Sequence, residues 1–97
     1  MDSKSQKIIV NIKDNNYLSW RICLRNKLRV IKSNNIEIDC KSLDLSCKDI
    51  SEVVAIANHY DCKVIGFCST SSKTIVSSHS LGYKSQFIVE NYSNKTL

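Results

Sequence analysis

Two hydrophobic periods alternate along this chain, and the points where one gives way to the other mark its elements. Residues 7–13 (Lys-Ile-Ile-Val-Asn-Ile-Lys) are β-branched and apolar at successive positions, which predicts a first strand. Asp14-Asn15-Asn16 follows with turn and helix-capping chemistry. Over 17–32 the period becomes three and four, so Tyr17, Trp20, Leu24, Leu28 and Ile31 share one face of a first helix. Ser33-Asn34-Asn35 ends it, and residues 36–40 (Ile-Glu-Ile-Asp-Cys) read as a second strand. Ser46 and Asp49 then stand at capping-box spacing, with Asp in place of the usual Glu. They open a helix reaching about residue 60, with Ile50, Val53, Val54 and Ala57 as its buried stripe.

Residues 63–68 form a third strand that is apolar at consecutive positions, the pattern of a sheet covered on both faces. Gly66 in its middle predicts a bulge or a close approach. A short helix over 71–81 ends at Gly82, a suitable C′ residue, and 85–90 make a last strand. The order β-α-β-α-β-α-β predicts an α/β fold: a four-stranded, mixed or mainly parallel sheet with helices packed on it. The whole chain, 1–97, is expected to be one domain with its core over 7–90 and a polar, fraying tail at 91–97.

Composition narrows the function. An apolar fraction of 42% suits a globular domain, and no apolar run approaches the roughly 20 residues of a membrane span. The first seven residues lack the apolar core of a signal peptide, so a cytoplasmic location without membrane insertion is expected. The five cysteines, Cys23, Cys40, Cys47, Cys62 and Cys68, are odd in number and show no C-x-x-C spacing. They read as reduced thiols, several of them in the core, rather than as disulfides, metal ligands or a nucleophile. With only two glycines there is no phosphate loop. Asp39 and Asp44 flank the end of the second strand, where open α/β sheets often place ligands, but Asp44 reads as a turn or cap. His59 and His79 read as surface residues near helix ends. No enzyme activity, metal or cofactor is therefore expected.

The net charge is +5, with a pI near 9.0, which favours an acidic partner. Along the first helix Arg21, Arg25 and Arg29 recur at four-residue steps, with Lys32 on the same side and Leu18 and Ile22 flanking them. This stripe reads either as a solvated face or as a docking surface, since interface cores are apolar and enriched in Arg. Nucleic acid is disfavoured, because Tyr17 and Trp20 fall on the core side and no exposed aromatic platform remains.

Four blocks together resemble the N-terminal domain of the MinC family, the bacterial septum-site inhibitors of cell division. They are Ile8-Ile9-Val10-Asn11-Ile12 before a long amphipathic helix, residues 36–43 as an apolar strand followed by Lys-Ser-Leu, Cys62-Lys63-Val64-Ile65-Gly66-Phe67, and the short helix closing at Leu81-Gly82. The resemblance spans about 7–90. It implies a domain that acts by binding FtsZ and antagonising its polymers, and so blocks septum assembly. It also implies MinD as a partner if the chain is part of a larger MinC. The family's Pro-containing connection after the first helix is missing here. Lys4 and Lys7 sit roughly where the family has a basic residue, and with Arg21, Arg25, Arg29 and Lys32 they are the expected partner-binding set. A monomer or weak dimer is expected. The alternative is a STAS-like anti-sigma-factor antagonist, which shares the element order. Those domains carry a phosphorylatable Ser before the second helix; Leu45-Ser46-Cys47-Lys48 stands in that place without the flanking Asp and Gly, so Ser46 reads as an N-cap.

Overall fold

A computed structural model describes residues 7–13, 19–31 and 34–89. They form β1 (Lys7–Asn11), α1 (Trp20–Leu28), β2 (Asn35–Asp39), α2 (Cys47–His59), β3 (Lys63–Ser69), α3 (Ser72–Ser80) and β4 (Lys84–Phe87). The predicted alternation is present. The four strands lie in the spatial order β1-β2-β3-β4, and every neighbouring pair is parallel. The tail at 91–97 lies outside the described residues.

Because the strands cross the sheet in chain order, each crossover steps the same way, and right-handed crossovers place all three helices on one face. The helix contacts agree: α1 touches α2 and α2 touches α3, which helices on opposite faces could not do. The expectation of a sheet covered on both faces is therefore corrected to one covered face and one open face. The physical reason for the misleading pattern in β3 is a bulge. Ile36 pairs with Val64 but Glu37 pairs with Gly66, so Ile65 is an extra residue. Val64 and Phe67 both face the core across it, while Ile65 stays exposed. Val10, Ile38 and Phe67 align across the covered face, and Ile12, Leu24, Leu28, Ile36, Ile50 and Val53 complete a fully buried core. On the open face Ile9, Glu37, Gly66 and Lys84 align in one row, and Asn11, Asp39, Cys68 and Gln86 in the next. Gly66 fits closely there: an added Cβ would lie 3.2 Å from the carbonyl oxygen of Lys84 on the neighbouring strand, a tight contact.

The helices begin and end for identifiable reasons. Trp20, Leu24 and Leu28 are the buried stripe of α1, with Ile31 half-buried behind them. The helix is shorter than predicted, because the Ile31 N–H turns back to the Leu28 carbonyl at 3.1 Å, an i→i−3 bond that tightens and closes the last turn. Tyr17 and Leu18 lie outside the described residues. The capping box of α2 is formed as expected: Ser46 Oγ accepts the Asp49 N–H, and the Asp49 carboxylate accepts the Ser46 N–H. At the end of α3, Gly82 N–H bonds His79 and Tyr83 N–H bonds Ser78, a Schellman pair with Gly82 at φ +92.

The end of α2 repeats that pair, with Asp61 N–H on Asn58 and Cys62 N–H on Ala57, but here Asp61 holds the left-handed position at φ 62. A side chain in that region carries strain that glycine lacks. Asp61→Gly is accordingly expected to raise stability by about 0.5–1 kcal/mol, seen as a higher urea midpoint at unchanged m-value.

Candidate docking surface on the helical layer

The exposed side of the helical layer is where the sequence places its basic stripe, and its members have separate fates. Arg21 is turned toward α2. Its Nε donates to Glu52 Oε2 at 2.6 Å, a terminal nitrogen lies 3.4 Å from Asp49 Oδ1, and its guanidinium sits 4.4 Å from the Trp20 ring centroid. The hydrogen bond from Arg21 holds the Glu52 carboxyl below its ordinary range. Arg21 thus links α1 to α2, and its charge is largely matched in place. Arg25 and Arg29, one and two turns on, are exposed and make no ion pair among the described residues. Ile22 beside them is also exposed. Lys32 and Lys4 lie outside the described residues, and Lys7 opens the edge strand β1. The structure therefore brings Arg25 and Arg29 together on the last turns of α1 and at its C-cap.

Next to Arg25 runs a groove of about 310 Å³ between α1 and the last turns of α2, lined by Arg25, Glu52, Ala55, Ile56, His59 and Tyr60. His59 and Tyr60 meet edge to face, with ring centroids 5.1 Å apart. By sequence His59 reads as a surface residue near a helix end. The signal that joins it to Arg25 is tertiary: Arg21, anchored on Glu52 and Asp49, sets how α1 lies along α2. A guanidinium, an imidazole and a phenol around a shallow cleft can donate hydrogen bonds to an acidic segment of a protein partner.

The end of the sheet that a ligand-binding α/β fold would use is engaged internally. Asp39 Oδ1 accepts the Lys41 N–H at 3.0 Å, and its other oxygen lies 3.6 Å from Lys41 Nζ. Asp44 accepts the Ser71 hydroxyl beside the N-terminus of α3. The Lys41 carbonyl, at the φ 53 turn, accepts from Ser69 Oγ and from the Thr70 N–H and hydroxyl, which ties the ends of β2 and β3 together. Thr74 accepts the Leu45 N–H at 2.8 Å and donates to the Leu43 carbonyl, so the loop before α2 is fixed to α3. A cleft of about 250 Å³ remains, lined by Asp39, Lys41, Ser42, Thr70 and Ile88. Ser46, the residue a phosphorylation switch would use, has its hydroxyl in the α2 cap. Among the described residues no cluster of three His, Cys, Asp or Glu could hold a metal, and no helix is long and apolar enough to cross a membrane.

Cys40, Cys62 and Cys68 are buried, Cys23 is half-buried and Cys47 is exposed. Burial pushes the Cys40 thiol from 9.0 up to about 12, and burial with the neighbouring Asp39 pushes Cys68 up to about 11. With a thiol-reactive disulfide reagent at neutral pH, Cys47 should react first and Cys23 more slowly, while the other three wait for unfolding. Raised folded-state values mean that the folded chain holds these protons more tightly. Their contribution to stability is complete below pH 9.0 and is lost as pH rises through about 11–12. Stability measured by urea unfolding should therefore hold below pH 9.0 and fall above it.

These elements define an open-faced, fully parallel α/β domain with a basic helical surface. In comparisons with known proteins, the chain is 34% identical over 64 residues, 66% of its length, to the probable septum site-determining protein MinC of a strain of Prochlorococcus marinus. It covers 29% of that relative's length, so the match supports a MinC-like relationship for part of the relative. No family model matches the chain, and no solved structure matches it significantly.

Proposed function

We propose that this domain acts by binding rather than by chemistry, as a division inhibitor of the MinC type that antagonises FtsZ assembly. The observation that carries this reading is the similarity to the septum site-determining protein, joined to a helical face on which Arg25 and Arg29 stand exposed and uncommitted. FtsZ is the partner, and its acidic groups meet the basic face. Where the chain forms part of a longer protein, MinD is the membrane-linked partner. The work is done in the cytoplasm, where reduced thiols such as the five here persist.

The test is sedimentation of FtsZ polymers with and without the chain, at low and at moderate salt. A smaller FtsZ pellet or co-pelleting at low salt, weakened as salt screens the exposed charges, is the expected result. An undiminished pellet with no co-pelleting at low salt would contradict the proposal.

A further inference from the structure

We propose that the domain docks peripherally on an anionic lipid surface, through the end where its helices finish and β2 and β3 begin. All the strands run the same way, so each helix must carry the chain back to the starting end of the sheet. The C-termini of α1, α2 and α3 therefore gather at that end. Two bonds fix the junction there. The Cys62 thiol donates to the Ile31 carbonyl at 3.2 Å, and the Lys63 N–H donates to the Asn34 carbonyl at 3.0 Å. The close of α1 is thereby held beside the turn that opens β3.

Charge is divided unevenly between the two ends. At this end Arg25, Lys27, Arg29 and Lys63 are exposed and make no ion pair among the described residues, and Asp61 is the anion of the same turn. At the opposite end cations are interleaved with carboxylates: Arg21 pairs with Glu52 and Asp49, and Lys41 with Asp39. Attraction to helix C-termini accounts for cations on a last turn. It does not account for the bare aliphatic side chains beside them. Val30, just past the α1 cap, is 84% exposed, and Leu81, the α3 cap, is 42% exposed. Aliphatic tips among lysine and arginine suit a layer of anionic headgroups. The charges need only come within a Debye length of it, about 8 Å at physiological salt, without facing individual partners. The aliphatic tips can enter the acyl boundary without spanning it. An acidic protein would call instead for cations converging on a pocket, as Arg25 does in the groove beside α2. Lys27 and Lys63 lie outside that groove.

Flotation of the chain with vesicles tests this with no FtsZ present. Vesicles of an equal mixture of phosphatidylcholine and phosphatidylglycerol should carry the chain upward at low salt and release it as salt rises. Pure phosphatidylcholine vesicles should not carry it. Reversing Lys27 and Lys63 together to Glu should lower the partition coefficient about 25-fold or more, at about fivefold for each basic residue lost. Both side chains are exposed, so circular dichroism should be unchanged. If the double reversal fails to fold, Lys27→Gln and Lys63→Gln decide, each with a loss of about fivefold. Val30→Ser should lower partitioning about threefold, by an amount that salt does not alter. No flotation on the mixed vesicles at low salt, equal flotation on both kinds, or flotation indifferent to the lysine reversals would overturn the inference. A chain that never floats but loses FtsZ co-pelleting on the lysine reversals would assign this end to an acidic protein instead, and would overturn it too.

Discussion

Replacing Phe67 with Ala is expected to remove about 3–5 kcal/mol of stability, a large share of the roughly 5–15 kcal/mol that holds a domain together. Phe67 is fully buried on β3, a central strand, and is aligned with Ile38 of β2 and Ser85 of β4. Its ring meets Tyr83 edge to face, with centroids 5.4 Å apart and planes at 79°. Truncation removes the transfer energy of the ring and leaves a cavity where sheet and helices meet, with strands on both sides limiting collapse. Phe67→Leu keeps most of the volume and should cost less than half as much. Urea unfolding followed by circular dichroism reads both. A loss below about 1 kcal/mol for Phe67→Ala would mean that the core is not centred on β3.

The second large effect concerns binding. Reversing both Arg25 and Arg29 to Glu should leave the fold intact, because both side chains are exposed and unpaired among the described residues. The same change should weaken any effect on FtsZ by about 30-fold or more, the size expected when two arginine anchors become repulsive. Arg21 serves as the contrast. Arg21→Glu would set a third carboxylate against Glu52 and Asp49, so it should loosen the α1–α2 contact by about 1 kcal/mol, the scale of a half-exposed pair. A three-residue reversal would mix the two effects. Pelleting assays beside urea curves separate them, and unchanged FtsZ inhibition in the Arg25/Arg29 variant would remove this face from the mechanism.

The local signals in the sequence were strong where the physics is local. The capping box at Ser46 and Asp49, the left-handed Gly82 and the bulge at Gly66 all depend on a few adjacent residues, and each stands where its chemistry required. Strand and helix order followed from hydrophobic period for the same reason. Layering was not legible, because the bulge residue Ile65 and the open-face Cys68 are apolar too, so β3 reads as apolar at consecutive positions and mimics a strand buried on both sides. The pairing of Arg21 was not legible either. Its four-residue spacing from Arg25 fixes a helix face, but only the packing of α1 against α2 brings Glu52, thirty-one residues away, within 2.6 Å. The groove joining Arg25 to His59 and Tyr60 is tertiary in the same sense.

The central claim is that a partner meets the helical layer at α1 and the end of α2 rather than the open sheet. Titrating the isotope-labelled chain with FtsZ and following its backbone amide resonances tests this most directly. The account predicts shifts gathered at Arg25, Arg29, His59 and Tyr60, with Ile9, Glu37 and Ile65 unmoved. Shifts concentrated on Ile9, Glu37 and Ile65, or none anywhere at saturating FtsZ, would contradict it.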